Sequence, residues 1–283
     1  MSCVSGPPTA PRSLYLTHTE LSSDLGVSQV VRPLAALARR GVRVHVVGTT
    51  RPEGLRDDWA RDHLDRAGVT TTEVPLRMGE DYASAGLHAR FLAAATGAAR
   101  RHRPDVVHAR GYHSAFIAWL LRRALGLPYI FDARGYWVDE QLNRGRPFST
   151  RLRLAVARST ESALYRDAAA IVQLTEVAVD DCRRHVFGLH SAKPCVAIPT
   201  ACDFAAFQLP RESELRERIE RPIVAWVGSI NQAYFIEESI QLVEAMKRRE
   251  PRLEFHVYTA QVDEARRVFS RRVAPARIAR LAQ

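Results

Sequence analysis

Ser13-Leu-Tyr-Leu-Thr17, a polar loop from His18 to Leu25, Gly26, a helix-patterned run to Arg40, Gly41 and Val42-Arg-Val-His-Val-Val47: this stretch decides the fold. The two apolar runs have the length and the aliphatic content of strands. Between them Val30, Val31, Leu34, Leu37 and Ala38 recur on one helical face, with Pro33 in the second turn and Gly41 as the stop. Strand, glycine loop, helix, glycine, strand is a βαβ unit, and strands joined by a helical crossover lie parallel. The loop at Gly26 opens a helix N-terminus, where backbone N–H groups suit a phosphate. No GxGxxG and no GxxxxGK[ST] accompanies it, so the loop alone names no nucleotide.

The pattern repeats outward. A charged helix over Pro52–Ala67 leads to an edge strand at Thr71–Val74, and a helix over Ala83–His102 leads to Pro104–His108. Helices over Ser114–Leu125 and up to Asp167 precede Tyr129–Phe131 and Ala168–Leu174, and Glu176–Val186 precedes Cys195–Ile198. Seven strands with intervening helices predict a doubly wound, Rossmann-like α/β domain over 13–207, after a disordered lead over 1–12. A charged linker is expected over 208–221. Pro222-Ile-Val-Ala-Trp-Val-Gly228 then begins a second Rossmann-like unit, with helices at Ile236–Arg249 and Gln261–Arg272 around a strand at Leu253–Tyr258. Two strands and two helices leave a sheet face and an edge uncovered, so 222–283 reads as an incomplete domain.

Lys and Arg number 41 against 31 Asp and Glu, a formal net charge of +10. That balance favours anionic partners, whether a phosphorylated substrate, a nucleic acid or an acidic membrane face. The cations are almost all arginines spread through helices, with Lys193 and Lys247 the only lysines, and no nucleic-acid-binding motif accompanies them. Nucleic acid is therefore not an expected partner. Cys3, Cys182, Cys195 and Cys202 form no CxxC, which suits a reduced cytoplasmic protein without structural metal. The N-terminus lacks a signal-peptide core, and no apolar run is long enough to span a bilayer. Peripheral contact with the inner face of an acidic membrane is compatible with the charge.

Chemistry concentrates in Phe131-Asp132-Ala133-Arg134-Gly135-Tyr136-Trp137-Val138-Asp139-Glu140. It follows a predicted buried strand, and open α/β sheets bind ligands beyond their carboxyl ends. For any single residue an ion-paired loop explains the charge as well. Four charges and two aromatics within nine positions point to a site.

Three further segments carry a resemblance. Pro104-Asp-Val-Val-His-Ala-Arg110 is similar to a PDvvHaH strand, Glu161 to Thr175 to an E…l…aD.iv.lt segment, and Ile198-Pro-Thr-Ala-Cys-Asp203-Phe-Ala-Ala-Phe207 to an IPngvD…F boundary. With Asp132 to Glu140, which is similar to a D-x-RG-[FY]-W-x-DE signature, the chain resembles GT-B-fold retaining glycosyltransferases of the family-4 type over about residues 13–260.

The resemblance implies transfer of a sugar from a nucleotide-sugar donor to an acceptor hydroxyl with retention of configuration. It implies no cofactor and no metal, the nucleotide sugar being a substrate. The acceptor, a glycan, a lipid-linked compound or a small molecule, would bind the first domain. Asp132 and Arg134 are the catalytic candidates. Arg134 occupies the position of a family histidine, and a permanently charged guanidinium acts there electrostatically, not as a base. Tyr136, Trp137, Asp139, Glu140, Arg110 and His113 are acceptor-binding candidates; an ion pair of Arg134 with Asp132 or Asp139, and a structural role for the histidine, are the competing readings. Gly26, Gly228 and Ser229 are donor-binding candidates. Gly228-Ser-Ile-Asn-Gln-Ala-Tyr-Phe235 lacks the Arg and Lys that grip the diphosphate in the family, and the E-x7-E element does not occur before residue 283. These departures imply a truncated or impaired transferase. The alternative is a non-catalytic binding protein, or a subunit whose partner completes the second domain.

Overall fold

The computed structural model describes residues 10–50, 58–80, 82, 84–143, 151–186, 193–201, 211–220, 222–230, 235–269, 272–273 and 276–280. The chain divides into two units, 1–202 and 203–283.

In the first unit the strands are β1 (Arg12–Glu20), β2 (Arg43–Thr50), β3 (Thr70–Pro75), β4 (Val106–Arg110), β5 (Tyr129–Asp132), β6 (Ala170–Gln173) and β7 (Cys195–Ala197). They form one sheet in the order β3-β2-β1-β4-β5-β6-β7, with every neighbouring pair parallel. The sheet is therefore doubly wound, and β3 is an edge strand, as expected. The connections run one way from β1 to β2 and β3 and the other way from β4 onward. A crevice consequently opens beyond the carboxyl ends of β1 and β4, where the chain reverses its direction of winding.

The strands read as near-continuous apolar runs because both faces are covered. Leu14 and Leu16 join Phe91, Val107, Tyr129 and Phe131 in one core, and the intervening Tyr15 joins Val31, Leu34, Val46 and Leu64 in another. The covering helices are α1 (Asp24–Gly26), α2 (Arg32–Arg39), α3 (Trp59–Arg66), α4 (Ala85–His102), α5 (Gly111–Leu125), α6 (Trp137–Asn143), α7 (Arg151–Asp167) and α8 (Glu176–Asp181).

The helix expected over 27–40 is interrupted. α1 passes into a π-helical turn, Val27–Val31, before α2 begins, which sets Pro33 in the first turn of α2. A proline there lacks an N–H that the widened turn does not require. Gly41 stops the helix at φ +90, as its position predicts. Arg12, placed in the lead by the sequence, already belongs to β1. Its backbone N–H and guanidinium both donate to Asp105, at 2.8 Å each, and this tie holds the start of the strand.

The linker region carries α9 (Glu212–Glu220), a helix the sequence did not announce. The second unit contains β8 (Ile223–Val227), α10 (Ile236–Arg249), β9 (Glu254–Thr259), α11 (Val262–Phe269) and β10 (Ala276–Arg280). Its sheet has three parallel strands, β10-β9-β8, where two were expected. β10 is short and arginine-rich. It is a strand because Ala276 and Ile278 pack on Phe255 and Val257 while Arg277 pairs with Glu254. Residues 1–9 of the lead, 52–57 of the charged helix expected over 52–67, 202–207 of the boundary motif, and 208–210 and 221 of the linker lie outside the described residues. So do Cys3 and Cys202; Cys182 and Cys195 are buried free thiols.

Candidate functional site

Register builds the site. Thr17 ends the regular pairing of β1 opposite Arg110 at the end of β4, and Arg110 lies opposite Asp132 at the end of β5. In a parallel sheet such partners project to the same side. Asp132, 3% exposed, thus sits among three nitrogen-bearing side chains. Its Oδ2 lies 2.9 Å from Arg134 Nη2, 3.6 Å from His108 Nε2 and 3.7 Å from Arg110 Nη1. Arg110 is buried and donates through its second terminal nitrogen to Gln29, which follows α1 in the π-helical turn. Tyr15 packs 4.7 Å from the His108 ring and closes the floor.

Two guanidiniums against one carboxylate leave the cluster net positive. Burial alone raises the Asp132 carboxyl, but His108, Arg134 and Arg110 outweigh it and hold the group below its ordinary value. Burial lowers the Arg110 guanidinium and raises the Tyr15 hydroxyl. Four buried polar atoms in the cluster, His108 Nε2, Arg110 Nη1, Asp132 Oδ1 and Arg134 Nε, have no hydrogen-bond partner among the described residues. A native interior seldom leaves so many polar groups unsatisfied in one place, and ligand sites are where it does. The cluster offers an ionised acceptor oxygen and unsatisfied cationic N–H groups, the donor–acceptor set that recognises hydroxylated and anionic molecules.

The other predicted residues fall into three groups. Tyr136 donates to Asp181 of α8 at 3.2 Å, and Trp137 opens α6 with its ring 6.2 Å from that of Tyr112. Asp139 pairs with Arg158 of α7, with one bond of 3.0 Å, so the ion-pair reading describes its contact. Glu140 folds back on Gly135. A Cβ there would meet Glu140 Oε1 at 2.0 Å, and φ +152 already favours glycine. Arg134 pairs with Asp132, as one reading held. His113 stands apart in a second cluster, its Nδ1 3.0 Å from His88 Nε2. Because His88 Nδ1 donates to the Ser84 carbonyl at 2.9 Å, a neutral His88 accepts from His113.

Gly26 is enforced by packing: an added Cβ would lie 2.0 Å from the Glu20 carbonyl oxygen, and its own backbone is ordinary right-handed helix. Ser23 caps this turn, accepting from Gly26 N–H at 3.0 Å. Gly228 and Ser229 follow β8 in the second unit, with Gly228 at φ +143. Sequence reasoning missed Gln29, which accepts from Arg110. Gln29 meets Arg110 from 81 positions away, and nothing local signals it. Among the described residues no cluster of three or more His, Cys, Asp or Glu is arranged to hold a metal ion, and no helix is long and apolar enough to cross a membrane.

The family model described as Glycosyl transferase 4-like domain matches residues 26–201. A D-inositol 3-phosphate glycosyltransferase of Actinosynnema mirum is 25% identical over 236 residues, covering 79% of this chain and 54% of that protein. The chain thus spans about half the length of this curated relative. Among solved structures, sucrose-phosphate synthase from Thermosynechococcus elongatus matches with a TM-score of 0.68 at 16% identity, covering 96% of this chain and 70% of that one. Phytolacca americana UGT2, complexed with UDP-2-fluoro-glucose and pterostilbene, matches with a TM-score of 0.56 at 11% identity, covering 98% and 72%. At these identities the likeness shows the fold, which is Rossmann-like and of the GT-B type. With its family model spanning more than half of its length, the chain belongs to the glycosyl transferase 4-like family.

Proposed function

We propose that this chain takes part in transfer of a sugar from a nucleotide-sugar donor to an acceptor hydroxyl, with retention of configuration. Membership of the glycosyl transferase 4-like family supports sugar transfer. The observation that carries the residue assignment is the Asp132 cluster, with its unsatisfied N–H groups and carboxylate oxygen at the switch point of the sheet. Asp132, held ionised, accepts a hydrogen bond from a sugar or acceptor hydroxyl and orients it. Arg134 and Arg110 oppose the negative charge that grows on the departing diphosphate; a guanidinium is suited to this because it stays charged and forks toward phosphate oxygens. Trp137 and Tyr136 border the acceptor, with Asp139, Glu140 and His113 around them. The donor-side residues are Gly26 of the first unit and, in the second, Gly228 and Ser229; the N–H groups of the two glycines already donate to Ser23 Oγ and the Tyr258 carbonyl. No cofactor is required, and the acceptor is a glycan, a lipid-linked compound or a small molecule. We place the reaction in the cytoplasm, with the basic chain free to touch an acidic membrane face.

A second reading is favoured by one observation: residues 228–235 contain no Arg or Lys to hold a diphosphate. On that reading the chain binds a sugar or anionic ligand without turnover, or pairs with another subunit. Incubation with a panel of UDP-, GDP- and ADP-sugars, read by mass spectrometry of released nucleoside diphosphate and by thermal shift, separates the two. Release that depends on an added acceptor, and that is lost in Asp132→Asn, supports transfer. Stabilisation without release supports binding alone, and neither effect sinks both.

A further inference from the structure

A cavity of about 520 Å³ opens between α4, α5, α6 and α7. Its walls are almost wholly apolar, with Phe116, Trp137, Val156 and Leu164 among them. The volume lies in the range of small-molecule sites, roughly 300–1,000 Å³. Set into this lining is Glu161, only 2% exposed. Burial raises its carboxyl above the ordinary value, with Arg158 and the Val138 backbone N–H among the groups that offset this only in part. Arg158 Nη1 reaches Oε2 at 3.2 Å. Oε1 has no hydrogen-bond partner among the described residues.

The neighbouring hydroxyl does not supply one. Tyr112 has a single O–H, and it donates that hydrogen to the Gly135 carbonyl at 2.9 Å, an atom that can only accept. A buried carboxylate oxygen left without a donor is costly, and an all-apolar ligand in this cavity would perpetuate the cost. A ligand that fills the apolar walls and turns one O–H toward Glu161 removes it. Thr160, also on the lining, stands one residue away on α7.

We infer that this cavity is a binding site for an apolar small molecule bearing a hydroxyl, recognised by Glu161 Oε1. Naming that molecule as the sugar acceptor rests on the transfer reading above; the cavity's selectivity does not. Glu161 is a specificity residue here.

The probes are 3-phenylpropan-1-ol and its methyl ether, which keeps the oxygen and the apolar body but cannot donate. Each is titrated into the full chain by ligand-detected NMR and calorimetry, with no nucleotide sugar present. Wild-type protein binds the alcohol about tenfold or more tightly than the ether, as a hydrogen bond to a charged group requires. Glu161→Leu abolishes that preference and binds the ether at least as well as the alcohol. Arg158 retains Asp139 as a partner in this variant, so α6 and α7 stay joined. Ala157→Trp, which fills the cavity from α7, loses both probes. Circular dichroism and melting curves confirm that each variant is folded. Equal binding of the two probes to wild type, an alcohol preference that survives Glu161→Leu, or no binding of either probe overturns the inference. Because no donor is added, sugar transfer can fail while this result stands, and the reverse.

Discussion

Asp132 shares one carboxylate among Arg134, Arg110 and His108, and only Arg134 lies within direct hydrogen-bond distance. Of these contacts the buried one with Arg110 weighs most, because a guanidinium this deep has no water to fall back on. Asp132→Asn leaves it uncompensated, and we predict a loss of about 3–5 kcal/mol in urea unfolding, together with loss of transfer. Arg134 is partly exposed and leaves less behind. Arg134→Gln is expected to cost no more than about 1 kcal/mol of stability while lowering the transfer rate roughly a hundredfold, measured as product release at saturating donor. A rate within twofold of wild type would make this arginine a structural counter-ion only. Asp132 and Arg134 were legible in the sequence because they sit at and just beyond a strand end in a short charged and aromatic run, and Arg110 because it closes a strand similar to a family motif. Glu161 was quoted there only as part of a motif. That its Oε1 lacks a hydrogen-bond partner among the described residues depends on where Tyr112 sends its hydroxyl, which no local pattern encodes.

At the scale of elements, strand order and helix alternation were readable almost throughout, since apolar runs of period two and 3.6 are what burial on a two-faced sheet demands. The departures have physical causes. Pro33 looked like a flaw in one long helix, and the π-helical turn before it makes it a helix start. β10 carries two arginines in five residues and so lacks a strand signature, yet its alternate positions reach the second unit's core. Gly26 read as a phosphate loop, and the structure supplies a packing reason that operates with or without a ligand. Gly26→Ala sets a Cβ against the backbone carbonyls of Glu20 and Leu21, at 2.0 and 2.7 Å, and backbone cannot swing aside as a side-chain tip would. We expect the turn after β1 to be displaced at a cost of about 1–3 kcal/mol, seen as a lower melting temperature even in ligand-free protein. An unchanged melting temperature would mean that this turn yields easily and that the glycine serves a ligand alone.

For the molecule as a whole, the folded first unit holds two histidines neutral at a pH where the unfolded chain would protonate them. His18, with Nδ1 3.0 Å from Ser114 Oγ and its ring 4.0 Å from that of Phe91, is pushed down to about 3 by burial and then by His113 and His88. His45 bonds Thr70 and Thr72 through its two nitrogens, stacks 3.8 Å from His102, and is pushed down to about 4 by burial and then by His102 and Arg101. Unfolding returns each to the ordinary value of 6.5. Between that value and the depressed one, the unfolded state binds more protons than the folded state, so acid favours unfolding. The stability these rings contribute is therefore complete above pH 6.5, declines as pH falls, and continues to decline to about pH 4 for His45 and about pH 3 for His18. Each histidine accounts for about 1.4 kcal/mol per pH unit in that window, and together for roughly 2–3 kcal/mol between pH 7.5 and 5.5. Urea unfolding at half-unit steps measures this, and His45→Gln, which keeps an acceptor and a donor for the two threonines, should remove about half of the slope. A free energy of unfolding that is flat from pH 7.5 to 5.5, or a slope untouched by His45→Gln, would mean that these rings take up protons without loss of the fold.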